Sequence, residues 1–100
     1  MAVTPTLFYR GSAATSSATL YTVPSSTTAV LTDIVVSNTS SSQQYVTMTV
    51  DGVNILTTVP ISANTVITIQ PKTVIPTGDI VAGYATSADV KLHVSGVEIV

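Results

Sequence analysis

The chain has no cysteine and no tryptophan, and only 8 % of its residues are charged. Without cysteine there is no disulfide framework, no thiol nucleophile and no thiolate metal site. A small domain without disulfides commonly draws on oligomerisation for its stability. Soluble domains carry roughly 25 % charged residues, so the scarcity of charge is itself a signal. Three Lys or Arg stand singly against five Asp or Glu, for a net charge of −2. No basic stripe exists to neutralise a phosphate backbone, which excludes nucleic acid as a partner. No run of about 18 apolar residues is present, so no membrane-spanning helix is expected. The start, MAVTPTLFYRG, lacks the basic opening and long apolar block of a signal peptide. Synthesis without secretion is the expectation. Helical periodicity is missing too: no 11-residue window repeats apolar residues at i, i+3, i+4 and i+7 free of β-branched runs and prolines.

What remains is 45 % apolar, which rules out disorder. Eighteen Thr and twelve Ser take the place of charges as the polar half of the pattern. Such a chain has little electrostatic protection against association. Its surface therefore reads as one meant to be covered by neighbours. One hundred residues make one domain with a modest core.

The chain is organised around Leu20–Asn38: a short strand, a turn on Pro24-Ser25-Ser26, and a longer strand. Strict alternation puts Val30, Thr32, Ile34 and Val36 on the core face of that strand, with Leu31, Asp33, Val35 and Ser37 opposite. Gln44–Val50 and Val53–Thr58 alternate on either side of Asp51-Gly52, a strong two-residue hairpin signal. Pro60 is expected to close the second of these strands, and Asn64–Gln70 forms the next. Pro71–Gly78 reads as a wide connection with Val74 and Ile75 tucked inward. Asp79–Ala85 is a strand in which Gly83 marks a bulge or close approach. Asp89–Val94 precedes a break at Ser95-Gly96, where a bulge would change the face that Val97 and Ile99 address. The expected fold is all-β, a single antiparallel β-sandwich of seven or eight strands, jelly-roll or immunoglobulin-like. Residues 1–17 divide into Val3–Arg10, either an edge strand or a hook for another subunit, and a small polar linker; residues 18–100 form the sandwich.

Candidate chemistry is thin. His93 is the only histidine, so no zinc set can form, and Asp33, Asp51, Asp79 and Asp89 fit no calcium loop. Ser95 lies two residues after His93 on the same strand face, but no nucleophile elbow or oxyanion hole accompanies it. The reading is therefore non-enzymatic, with no cofactor and no metal. Asn38-Thr39-Ser40 matches the glycosylation pattern, which chance explains in a chain without a secretion signal. Leu7, Phe8, Tyr9, Tyr21, Tyr45 and Tyr84 remain as interface candidates, because aromatic side chains anchor protein contacts. The same tyrosines would stack on sugars in a carbohydrate-binding module.

Thr19-Leu20-Tyr21-Thr22-Val23-Pro24, then Thr28-Ala29-Val30, then Ile34-Val35-Val36-Ser37-Asn38 resembles a pattern of small structural proteins of tailed bacteriophages. Val50-Asp51-Gly52-Val53 and Val94-Ser95-Gly96-Val97-Glu98 also suit that group. The resemblance implies a virion component; the size of a lone 100-residue sandwich, without a shaft or appended domains, favours a capsid decoration protein over a tail, collar or fibre subunit. The resemblance further implies a symmetric homo-oligomer, a trimer by expectation, bound to the major capsid protein or another virion protein.

Overall fold

Asp51-Gly52 stands at the middle of the chain, and the fold is built outward from it. In the computed structural model, which describes residues 2–100, both residues take left-handed backbone conformations, φ 52° and 78°. This geometry lets a two-residue loop match the twist of its strands. Nine strands follow: β1 (Val3–Ser12), β2 (Ala18–Thr22), β3 (Thr28–Asn38), β4 (Gln44–Val50), β5 (Val53–Ile61), β6 (Thr65–Ile69), β7 (Thr73–Ile75), β8 (Ile80–Ala85) and β9 (Val90–Ile99). From the turn outward, Val50 pairs with Val53, Ile34 with Ile69, Tyr21 with Val81 and Val3 with Ile99. The two halves of the chain thus form one long antiparallel hairpin, rolled so that its rungs fall in two sheets. One sheet runs β2-β8-β4-β5; the other runs β1-β9-β3-β6, with β7 also beside β3. The antiparallel sandwich is as expected, and this winding is that of a jelly roll. The ninth strand is β7, in the stretch read as a plain connection.

The core fills the space between the sheets. Leu31, Ile34 and Val36 of β3 and Leu92 and Val94 of β9 are fully buried, as are Met48 and Val81 of the other sheet. Each such side chain contributes roughly 1.5–3 kcal/mol by leaving water. Asn38 is buried among them at 1 % exposure. Its Nδ2 donates to the carbonyls of Ser42, Ile61 and Ser62, while its Oδ1 accepts from Ser40 N and Oγ. That amide pins the Thr39–Gln43 loop to the end of β5 and has no room for a glycan.

Bulges account for most departures from simple alternation. The β3–β9 register shifts between Leu31 and Asp33, leaving Thr32 as the extra residue. Its Oγ1 donates to Ser95 O and Asp33 Oδ2, both at 3.2 Å. Ala29 and Leu31 therefore face the core before the bulge, and Ile34 and Val36 after it, while Val30 points outward. A second shift in β1, between Leu7 and Tyr9, turns Phe8 inward. Both bulges lie beside Ser95-Gly96 in the flanking strands, not in β9, where a bulge was expected. Strand β9 keeps its alternation to the end, so Glu98 faces inward and Val97 and Ile99 outward. Gly96 is required for space: a Cβ there would lie 2.0 Å from Val30 O and 2.9 Å from the Phe8 ring.

Other expectations are corrected likewise. Pro60 lies inside β5, which extends to the buried Ile61; an edge strand tolerates the missing N–H. Ile75 is buried but Val74 is exposed, because β7 is a strand and alternates. Gly83 is a close approach without a bulge, with Met48 Cγ 2.9 Å from the position of an added Cβ. The N-terminal segment is not a free arm. Val3–Ser12 pairs with β9 throughout, including the Gly11 and Ser12 assigned to a linker, and buried Ala13 donates its N–H to Val90 O.

Candidate interaction surfaces

The six interface candidates separate into interior and surface groups. Phe8 and Tyr21 stack inside the sandwich, ring centroids 4.0 Å apart and planes 14° apart. The half-buried Tyr21 hydroxyl donates to Glu98 Oε2, joining β2 of one sheet to β9 of the other. Burial first, then the hydrogen bond and charge of Glu98, hold that hydroxyl well above the ordinary tyrosine pKa. This cluster closes the β1/β2 side of the sandwich, with Phe8 buried and Tyr21 half-buried. Tyr9 is half-buried and donates its hydroxyl to Ser12 O at 2.7 Å. Leu7, Tyr45 and Tyr84 are exposed, at 49, 39 and 37 %.

Tyr45 and Tyr84 share the outer face of the four-stranded sheet. Tyr84 lies opposite Thr47, and Tyr45 is two residues along β4 from Thr47, so the tyrosines are diagonal neighbours. Pro60 lies opposite Tyr45, and exposed Ile80 lies opposite Thr22 on the same face. None of the strands β2, β4, β5 and β8 contains an Asp, Glu, Lys, Arg or His. An entire sheet is built without an ionisable side chain except the Tyr hydroxyls.

The outer face of the five-stranded sheet is divided along its length. Strand registers place Val3 beside Ile99, then Pro5, Val97, Val30 and Val74 in one row across four strands. Leu7, Ser95 and Asp33 form the next row, then Arg10, His93 and Val35, then Ser12, Lys91 and Ser37. One end of this face is thus apolar and the other carries the charges. Where they meet, a shallow concavity of about 460 Å³ lies over Ser95-Gly96, edged by Leu7, Arg10, Asp33 and Val97. Of the six interface candidates, only Leu7 lies here. The signal that sequence reasoning passed over was the valines at outward positions, which the bulge at Thr32 hid by shifting Val30 to the wrong face.

His93, Ser95 and Asp33 do share this outer face. Among the described residues, however, no hydrogen bond joins the side chains of His93 and Ser95, and Asp33 accepts from Thr32. Among the same residues no three His, Cys, Asp or Glu side chains cluster as metal ligands would. No family model, curated protein or solved structure matches this chain.

Proposed function

We propose that this chain is a non-enzymatic structural subunit of a bacteriophage virion, decorating the outer surface of the capsid shell. The observation that carries the reading is the four-stranded sheet without ionisable residues other than tyrosine. A sheet face that stays in water is ordinarily kept soluble by interspersed charges. This one offers hydroxyls, Ile80 and two tyrosines, a composition suited to burial against another protein. Tyr45 and Tyr84 are its anchors, and the major capsid protein or another virion protein is the partner. The virion follows from the resemblance of Thr19–Asn38 to phage structural proteins. The jelly-roll winding supports it by analogy only, since viral capsid and lectin domains both use that architecture.

Co-sedimentation of the purified chain with capsids tests the proposal. Binding should change little between low and high salt, because few charges take part. Tyr45→Ala or Tyr84→Ala should weaken it by about 2 kcal/mol, roughly thirtyfold, if each is an anchor. Attachment to tails instead of heads would favour a collar or fibre subunit of the same fold. The exposed tyrosine pair also favours a second reading, a carbohydrate-binding module, and glycan binding lost with Tyr45→Ala would establish it over the first.

A further inference from the structure

Tyr45 and Tyr84 lie near the end of their sheet where β8 leaves it, and a polar relay holds that end together. The β4–β8 ladder runs from Val50 and Val81 to Val46 and Ala85, so Tyr45 falls opposite Thr86, just past the end of β8. Thr86 N–H donates to Tyr45 O at 3.0 Å, as a continuing ladder requires. The reciprocal bond differs: Tyr45 N–H donates to Thr86 Oγ1, also at 3.0 Å, in place of the Thr86 carbonyl. One residue thus satisfies both backbone polar groups of Tyr45. Across β4 on the other side lies Pro60, which has no N–H to give. We propose that Thr86 is the positioning residue of the tyrosine face. Its hydroxyl, set by Gln44, fixes Tyr45 relative to Tyr84 before a partner arrives.

Three features of the molecule lead to this role. First, the hydroxyl is itself oriented. Thr86 Oγ1 donates to Gln44 Oε1 at 2.6 Å, which leaves its lone pairs for the Tyr45 N–H. Gln44 Nε2 donates in turn to Ser42 Oγ at 3.0 Å and Ser40 Oγ at 3.3 Å, and Ser40 Oγ donates to Oδ1 of the buried Asn38 at 2.7 Å. The relay therefore runs from the core to the tyrosine face. Second, it concentrates a kind of bond the fold uses little elsewhere. Of the eight side chain–side chain hydrogen bonds among the described residues, four lie in this relay. At a wet loop end such bonds add little net stability, and holding a glutamine still costs rotamer freedom. Stability alone does not account for them. Third, Thr86 follows Tyr84 by two residues and so continues its face of the strand. A single side chain thus joins the strand end carrying Tyr84 to the one carrying Tyr45, and sets the spacing of the two rings. A surface whose anchors are already in place loses less freedom on binding, an advantage of about 2–10-fold in affinity per side chain. The inference rests on Tyr45 being a contact residue, as in the proposed function.

Thr86→Val keeps the side-chain shape and the N–H but loses the hydroxyl, whereas Thr86→Ser keeps the hydroxyl. Amide hydrogen exchange of the folded chain, read by nuclear magnetic resonance, should be at least about tenfold faster at Tyr45 in Thr86→Val, with the middle of β4 unchanged. Thr86→Ser should match the parent, and Gln44→Ala, which frees the hydroxyl to turn away, should fall between. The order parameter of the Tyr45 ring should drop in the same sequence, while the melting temperatures stay within a few degrees of the parent. In co-sedimentation with capsids, Thr86→Val should bind about 3–10-fold more weakly, and Thr86→Ser should restore parental binding. A parent chain that does not bind capsids, or a Tyr45→Ala chain that binds as the parent does, would refute the functional reading; the positioning role then stands or falls on the exchange at Tyr45. Unchanged exchange in Thr86→Val, a Thr86→Ser chain that behaves as Thr86→Val does, or undiminished binding by Thr86→Val where Tyr45→Ala is weakened would overturn the proposal.

Discussion

Gly96→Ala is the substitution whose outcome the structure determines most fully. The glycine lies in β9 between two bulged neighbours, and the added methyl would lie 2.0 Å from Val30 O and 2.9 Å from two carbons of the Phe8 ring. The ring can rotate away; the carbonyl cannot, because Val30 is held between β9 and β7. Relief requires β9 and β3 to part by more than about 1 Å. Overpacking of this kind costs about 1–3 kcal/mol, and each ladder hydrogen bond lost adds about 0.5–1.5 kcal/mol. The sum is about 3–5 kcal/mol, a large share of the roughly 5–15 kcal/mol that holds a domain together. At about 4–8 °C per kcal/mol, the melting temperature should fall by at least 12 °C. Gly52→Ala is the control: nothing lies within 4 Å of its added methyl, but its φ of +78° makes it pay about 1–2 kcal/mol in backbone strain alone. Thermal melts followed by circular dichroism compare the two. Adding Phe8→Ala to Gly96→Ala should not restore stability, since the carbonyl clash persists. A Gly96→Ala protein melting within about 4 °C of the parent would refute the reasoning.

The other predictions concern single contacts. Asn38→Ala removes the Nδ2 donor to the carbonyls of Ile61, Ser42 and Ser62, of which Ser42 O keeps Ser40 Oγ, and should destabilise by about 1–3 kcal/mol, read by urea denaturation. Thr58, a β-branched residue at φ 46° in β5, is strained, so Thr58→Gly should raise the melting temperature by a few degrees. The folded state keeps the Tyr21 proton to higher pH than the unfolded chain, whose tyrosines ionise near pH 10. Stability should therefore be intact below about pH 10 and fall as pH rises beyond it, and Tyr21→Phe should flatten that fall in melts between pH 8 and 11. Deleting Met1–Gly11 removes most of β1 together with Phe8, so the truncated chain should lose its cooperative melt instead of surviving as a folded core.

Local pattern made much of this fold legible. Asp51-Gly52 announced its hairpin because both positions need left-handed backbone, and the stretches Gln44–Val50 and Asn64–Gln70 located β4 and β6. The sheet order was not legible, because pairing Val3 with Ile99 is a choice made across the whole chain. The bulges at Phe8 and Thr32 were hidden for a related reason. Their cause is Gly96, remote in sequence, whose lack of a side chain lets β1 and β3 close in. Tyrosines at positions 45 and 84 were found by residue type alone, whereas Tyr21 needed its partner Glu98 to be seen as interior. The apolar patch required knowing which valines point out, and that followed only from the shifted register of β3.

The central claim is that the sheet free of Asp, Glu, Lys, Arg and His exists to be covered by another protein of a phage particle. A cryo-electron microscopy map of the particle, at a resolution that separates strands, tests it most directly. The account predicts the sandwich on the outside of the shell, with Tyr45 and Tyr84 buried against the capsid protein. A map without the chain, or with those two tyrosines facing solvent, would contradict it.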